Sequence, residues 1–113
     1  MKIITQNMTL DDIKEMAAAT FGNLVKAVVD ADRQIIAVDA ELHSDLEALL
    51  LEDGSKQKDL WGINLYPEMR GDDFIEFDSM INMRPSQGNR SRGIEDQELR
   101  NKIIGIVAKR IQP

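Results

Sequence analysis

Apolar residues recur at helical spacing in three segments of the chain, and the residues that flank these segments are typical of helix ends. In the first segment the apolar positions lie three or four residues apart, at Leu10, Ile13, Met16, Ala17 and Phe21. Thr9 precedes them and Asp12 follows three residues later, which is the spacing of a capping box. We therefore predict a first helix over residues 10–21 that ends at Gly22.

The second and third helices are predicted from similar signals. Ser44 and Glu47 have the S-x-x-E spacing of a capping box, and Gly54 ends that segment. The buried stripe of the second helix is expected to consist of Leu46, Leu49 and Leu50. Asp96 is the expected N-cap of the last helix, which runs to about Ile111. The apolar face of the last helix comprises Leu99, Ile103, Ile106, Val107 and Ile111.

Five segments have the alternating or β-branched pattern of strands. They cover residues 1–5, 24–29, 34–41, 60–66 and 75–82. The short polar stretch between the second and third segments predicts a hairpin. A glycine inside the fourth segment, Gly62, indicates a bulge or a backbone that passes close by. We expect the core-facing side chains of the last two strands to be buried, namely Trp61, Ile63, Leu65, Phe77 and Ile81.

The resulting order of elements is β-α-β-β-α-β-β-α. Short connections between neighbouring strands favour antiparallel pairing. We therefore predict an α+β fold, with a mainly antiparallel sheet and helices packed on one face of it. Because the chain of 113 residues shows no linker and no internal repeat, residues 1–113 are expected to form a single domain.

Composition narrows the range of functions. The formal net charge of −6 argues against broad binding to nucleic acid. Because there is no cysteine, disulfides and thiolate metal sites are excluded. No apolar run is long enough to span a membrane, and the first residues, MKIITQNMTLDD, lack the apolar core of a secretory signal. We expect a cytoplasmic protein that does not bind membranes.

One loop reverses the acidic character of the chain. Between Ser79 and Ile94 there are three arginines and no acidic residue. Arginine side chains match the geometry of phosphate and carboxylate groups, and the start of the following helix adds a partial positive charge. The candidate anion-binding residues of this loop are Arg84, Ser86, Asn89, Arg90 and Arg92.

The same loop admits a purely structural interpretation. Its arginines are close in sequence to Glu76 and Asp78 on one side and to Glu95 and Asp96 on the other. Ion pairs with these carboxylates would leave no free cation for a ligand. The loop also lacks the spacing of a P-loop or of a dinucleotide-binding motif. From the sequence alone, both interpretations stay open.

A second candidate set consists of Asp39, Glu41 and His43. On a strand these residues would share a face, where they could bind a divalent cation or supply a base near neutral pH. The competing interpretation is a solvated strand end that leads into a capped helix. It is favoured because His43 is the only histidine of the chain. We assign no catalytic residue, no metal site and no cofactor.

Two phrases of the sequence, DLWGINLYPE and INMRPSQGNRSRG, are distinctive. Through them, and over nearly its whole length, the chain resembles a small bacterial family of uncharacterised proteins that form a domain of unknown function. The resemblance implies a bacterial, cytosolic, single-domain protein. It carries no catalytic residue over to this chain.

The leading functional hypothesis is a non-catalytic binding module. It would recognise an anionic group, on a small ligand or an acidic partner, through the Arg84–Arg92 loop. The first alternative is a small enzyme acting on a phosphorylated or acidic substrate, with Asp39, Glu41 and His43 as metal ligands or base. The second alternative is a partner subunit of a two-protein regulatory system, which would pair through an open sheet edge. The oligomeric state is not predicted.

Overall fold

A five-stranded sheet forms the centre of the computed structural model, which describes residues 1–113. In chain order the strands are β1 Lys2–Ile4, β2 Met8–Thr9, β3 Val25–Asp30, β4 Ile35–Val38, β5 Leu60–Leu65, β6 Ile75–Glu76 and β7 Ile111–Gln112. The large sheet has the spatial order β1-β4-β3-β5-β6, and all its neighbouring strands are antiparallel. The short strands β2 and β7 pair in parallel beside it. The predicted hairpin is confirmed as the β3–β4 pair.

Three helices accompany the sheet, and none of them is long and apolar enough to cross a membrane. They are α1 Leu10–Ala19, α2 His43–Glu52 and α3 Gln97–Arg110. The capping box at α1 is confirmed, because the Thr9 hydroxyl accepts from the backbone of Asp12 and the Asp12 carboxylate accepts from the backbone of Thr9. The N-cap of α3 is confirmed as Asp96, which accepts from the backbone N–H of Glu98 and of Leu99.

The predicted start of α2 is wrong by two residues. The N-cap is Leu42, whose extended backbone (φ −126°, ψ 137°) leads directly into His43. Ser44 therefore lies inside the first turn, where its hydroxyl no longer reaches the N–H groups that a cap satisfies. No side chain caps this helix, so its first N–H groups lack the partner that α1 and α3 have.

The predicted α+β class with a mainly antiparallel sheet is confirmed, but its layers are arranged differently. Helices α1 and α3 pack on one face of the sheet. Helix α2 packs on the other, where Leu46 and Leu50 contact Val28 and Leu60. The physical reason is that β4 is buried at all four positions, so apolar side chains project from both faces and both need a covering layer.

The last predicted strand is shorter than its alternating pattern indicates. Strand β6 ends at Glu76, and residues 77–79 have no regular secondary structure, although Ser79 itself is extended. Ser79 passes directly over β5, because a Cβ added to Gly62 would lie 2.5 Å from the Cβ of Ser79. The predicted close approach at Gly62 is thereby confirmed, but the nearest atoms belong to the side chains of Ser79 and Ile81 rather than to a backbone. Of the five side chains expected in the core, Trp61, Ile63 and Leu65 are buried, whereas Phe77 and Ile81 are only half-buried.

Candidate functional site

The basic loop is attached to the sheet by a buried asparagine. The Asn82 side chain is fully buried and bonds both backbone groups of Gly62: its Oδ1 accepts from the N–H at 2.8 Å, and its Nδ2 donates to the carbonyl at 2.9 Å. The same Nδ2 donates to the carbonyl of Arg92 at 2.9 Å. Asn82 thus extends the hydrogen bonding of β5 and fixes both ends of the loop to it.

A second buried asparagine closes the loop on itself. The Nδ2 of Asn89 donates to the carbonyls of Asn82 at 2.6 Å and Gly93 at 2.8 Å. Its Oδ1 accepts from the backbone N–H of Glu95 at 2.9 Å. Asn89 is 5% exposed, so both polar atoms of this predicted ligand residue are engaged inside the protein.

The first arginine of the loop is also engaged by the protein. The Arg84 guanidinium lies 4.1 Å from the centroid of the Trp61 ring. Its Nε donates to the carbonyl of Ile81 at 3.0 Å, and its Nη1 donates to that of Gln57 at 2.6 Å. The Nη2 donates to the carbonyl of Leu60. Burial lowers the pKa of this guanidinium, and all three of its nitrogens already have acceptors.

The other three predicted residues lie on the outside of the loop. Ser86 and Arg90 are exposed, and the Arg90 guanidinium has no ion-pair partner. Arg92 forms an ion pair with Asp78 at 2.6 Å, as the structural interpretation of the loop expects. Of the five predicted residues, only Arg92 lines a cavity. A site formed by all five residues together stays a prediction.

Arg92 shares this cavity with the start of α2. The cavity has a volume of about 210 Å³ and is lined by Lys26, Leu42, His43, Ser44, Ser79, Met80, Ile81 and Arg92. It therefore combines two cations, two hydroxyls, an imidazole and an apolar rim. We refer to it as the His43 cavity.

Lys26 is the cavity residue that sequence reasoning missed. It is the second residue of β3, a strand that is otherwise apolar up to its last residue. Its Nζ lies 5.5 Å from the centroid of the Phe21 ring and forms no ion pair. The signal was available in the sequence: a lysine inside an apolar strand indicates that this face of the sheet is uncovered at that point.

His43 is held in one orientation by the backbone of β5. The side chain is 8% exposed, and its Nε2 lies 2.8 Å from the carbonyl oxygen of Ile63. Because a carbonyl can only accept, Nε2 carries the proton and Nδ1 carries the lone pair of the neutral ring. Burial is the main cause that lowers the pKa of His43 below 6.5, and the cations Lys26 and Arg92 lower it further. The bond to Ile63 and the Asp78 carboxylate oppose this shift.

The N-terminus of α2 contributes partial positive charge to the same cavity. Leu42, His43 and Ser44 line the cavity at the point where the helix begins. The first turn of a helix presents N–H groups and the positive end of its dipole, and both favour an anion. No side chain caps α2: the Asp45 N–H donates to the Leu42 carbonyl at 3.2 Å, whereas the N–H groups of His43 and Ser44 form no hydrogen bond within the protein. Asp45 is the only acidic residue in this turn.

The face of the sheet beyond the cavity is polar. Asn64 lies opposite Lys26 in the β3–β5 register and donates from Nδ2 to the Glu76 carboxylate at 2.9 Å. Tyr66 donates to the same carboxylate at 3.1 Å. Desolvation and this hydrogen bond raise the pKa of Tyr66. The Asn64 Oδ1 is enclosed without a partner. The face that α2 leaves uncovered is thus built from polar groups rather than from core residues.

The second predicted set does not assemble. Strand β4 ends at Val38, and Asp39 has a left-handed backbone with φ 74°, so Asp39, Glu41 and His43 do not share a strand face. No three His, Asp or Glu side chains of the structure are grouped closely enough to hold a metal ion. Only His43 of this set lines the cavity that Arg92 shares.

The largest cavity of the protein lies elsewhere, between β6 and α3. It measures about 520 Å³, and its single cation is Arg100. That guanidinium lies 4.6 Å from the centroid of the Phe77 ring, and Asp72 lines the same cavity. Because the cationic groups do not converge there, the smaller His43 cavity is the stronger candidate site.

Comparison with known proteins adds a family but no activity. No curated protein and no solved structure matches the chain. A family model described as "Protein of unknown function (DUF5674)" matches residues 2–110. This span includes every strand and helix from β1 to α3, together with the His43 cavity. The chain belongs to this family of unknown function.

Proposed function

We propose that this protein is a non-catalytic binding module that recognises a small anionic group, with Arg92 as the contribution of the basic loop. The observation that carries the proposal is the convergence of Arg92, Lys26 and the uncapped N-terminus of α2 on the His43 cavity. Each of these groups favours negative charge. They line the same cavity from three separate elements of the fold.

The ion pair between Arg92 and Asp78 leaves the cation available to a ligand. The two side chains are 53% and 42% exposed, and pairs at such exposure contribute little to stability. An anion in the cavity would therefore compete with Asp78 at low cost. Lys26 has no carboxylate partner to displace.

The dimensions of the cavity favour a small ligand. A volume of about 210 Å³ lies below the range of about 300–1,000 Å³ typical of drug-sized ligands. Leu42, Met80 and Ile81 form its apolar part. They would contact an uncharged portion of the ligand while the cations and the helix start hold its charge.

A phosphate titration tests the proposal. Inorganic phosphate is added to ¹⁵N-labelled protein at constant ionic strength, and the amide resonances are followed. We expect saturable shifts at His43, Ser44 and Arg92. Arg92→Gln and Lys26→Gln should each weaken binding about tenfold, because a charge-assisted hydrogen bond is lost. Both variants should remain folded, since neither side chain is buried.

The matched control for this titration is Arg90→Gln. Arg90 belongs to the same loop and carries the same charge, but it is exposed and outside the cavity. Its replacement should leave the phosphate affinity unchanged. If Arg90→Gln abolishes binding and Arg92→Gln does not, the outer surface of the loop with Ser86 is the site instead. Flat titrations up to millimolar phosphate would contradict phosphate recognition by either surface.

A second candidate function is a small enzyme that acts on a phosphorylated or acidic substrate, with His43 as a base. The favouring observation is that the Nδ1 of His43 retains its lone pair in the cavity that Arg92 shares. A base of this kind needs a neutral imidazole, and the lowered pKa of His43 supplies one near neutral pH. Phosphate release from a phosphate monoester by wild type, lost in His43→Gln, would support this function over the binding module.

A further inference from the structure

The His43 cavity contains one side-chain nitrogen that accepts but cannot donate, whereas the Ser44 and Ser79 hydroxyls can do both. Nε2 of His43 donates to the Ile63 carbonyl at 2.8 Å, which leaves Nδ1 as the acceptor of the neutral ring. No group of the protein donates to Nδ1. Asn64 Oδ1 is the only polar side-chain atom that is both fully enclosed and without a hydrogen-bond partner. Because Nδ1 of His43 also lacks a partner, it is not fully enclosed, and solvent reaches it. A ring that is 8% exposed therefore presents a single free polar atom to the outside.

Several groups around the ring disfavour its protonation. Burial is the largest effect that disfavours the charged form of the ring, and Lys26 and Arg92 add to it as nearby positive charges, against the opposing effects of the Ile63 bond and the Asp78 carboxylate. A fully deprotonated oxyanion beside Nδ1 would face a lone pair rather than a donor. An oxyanion that carries a hydroxyl would instead donate a hydrogen bond to it. The neighbouring Asp78 carboxylate is also an acceptor and disfavours unprotonated anions in the same way.

We propose that the His43 cavity selects oxyanions that also carry a hydroxyl donor, such as inorganic phosphate, over oxyanions without one, such as sulfate. The inference rests on the proposed function and specifies its ligand class. In the bound state Arg92, Lys26 and the start of α2 hold the anionic oxygens, and the ligand hydroxyl donates to Nδ1 of His43. Phosphate and sulfate have the same tetrahedral shape, so the hydroxyl is the feature that separates them.

The test compares the two anions on the same protein. Dissociation constants for phosphate and for sulfate are measured on wild type by amide chemical shifts, at neutral pH and equal ionic strength. We expect phosphate to bind about tenfold more tightly or better, because sulfate leaves a buried acceptor opposite an anionic oxygen. His43→Leu removes the Nδ1 acceptor without introducing a new donor or acceptor, so the ratio of the two dissociation constants should fall toward one. Arg90→Gln should retain the wild-type preference.

The outcomes separate this inference from the proposed function. Equal binding of sulfate and phosphate by wild type would overturn the selectivity and leave anion binding intact. An unchanged phosphate preference in folded His43→Leu would also overturn the assigned role of Nδ1. Absence of binding by both anions would overturn the proposed function and the selectivity together. The wild-type comparison needs no variant, so it remains decisive if His43→Leu fails to fold.

Discussion

The two halves of the basic loop contain the same kind of side chain and use it in different ways. In residues 84–89, Arg84 and Asn89 direct their polar atoms to backbone groups of the protein. In residues 90–92, Arg90 is free, and Arg92 lines the His43 cavity while it forms an exposed ion pair with Asp78. An arginine of this loop is therefore structural where an aromatic ring and free carbonyls lie within its reach. Outside that environment its charge is free or is paired only with an exposed carboxylate.

The asparagine that holds both halves should have the largest effect on stability. Asn82→Ala removes both bonds to Gly62 and the bond to the Arg92 carbonyl, and it leaves buried backbone groups without partners. We expect a loss of about 3 kcal/mol in the free energy of unfolding, measured by urea denaturation. A loss below about 1 kcal/mol would mean that the loop is not fixed to β5 in this way.

The two halves are compared directly by replacing one arginine in each. Arg84→Ala removes three donors to backbone carbonyls and the stacking on Trp61, and it should cost about 2 kcal/mol. Arg90→Ala removes an exposed side chain without a partner and should change stability by less than about 0.5 kcal/mol. Urea denaturation of both variants measures the difference. Equal losses of stability in the two variants would show that Arg84 is no more structural than Arg90.

The pH dependence of stability tests the environment of His43, which shares its cavity with Arg92. In the folded protein the pKa of His43 lies below 6.5, the ordinary value for histidine. At a pH between the folded pKa and 6.5, the unfolded chain therefore binds more protons than the folded protein does. The free energy of unfolding should therefore decrease as the pH falls through about 6.5, and this contribution should level off below the folded pKa. Urea denaturation of wild type and His43→Gln across this range isolates the contribution. A contribution of the opposite sign would show that the fold raises the pKa.

The smallest effect is expected at the start of α2. Ser44→Ala should change stability by less than about 0.5 kcal/mol, because the Ser44 hydroxyl does not cap the helix. A true N-cap serine would cost about 0.5–2 kcal/mol. A loss in that higher range would show that the helix starts at Ser44 and that its N-terminus is occupied by the protein. The thermal unfolding of Thr9→Ala, where the cap is present, provides the reference.

Local rules predicted the parts of the fold that depend on neighbouring residues. The caps at Thr9 and Asp96 were predictable, because each follows from a backbone requirement within a few positions. The close approach at Gly62 was predictable because a glycine inside a strand leaves room for another segment, although the sequence did not identify that segment as Ser79. At Ser44 the same rule failed. The spacing of a capping box was present there, but the helix begins at His43.

The candidate site was predicted only in part, because it depends on tertiary contacts. Arg92 was among the predicted residues, whereas the positions of Arg84 and Asn89 depend on carbonyls that are brought close by folding. His43 was considered with Asp39 and Glu41, its neighbours in sequence. The structure places it instead with Arg92 and Lys26, which are distant along the chain. No spacing rule connects residues that meet only when β3, α2 and the loop have packed together.

The protonation state of the single histidine tests the proposed anion site most directly. A long-range ¹H–¹⁵N spectrum of the imidazole is free of overlap, because His43 is the only histidine in the chain. At neutral pH we expect a neutral ring with the proton on Nε2, and an Nδ1 resonance that shifts when phosphate is added. A ring protonated on Nδ1, or on both nitrogens, would contradict this expectation, since Nδ1 would then be a donor and could not accept a hydrogen bond from a ligand hydroxyl.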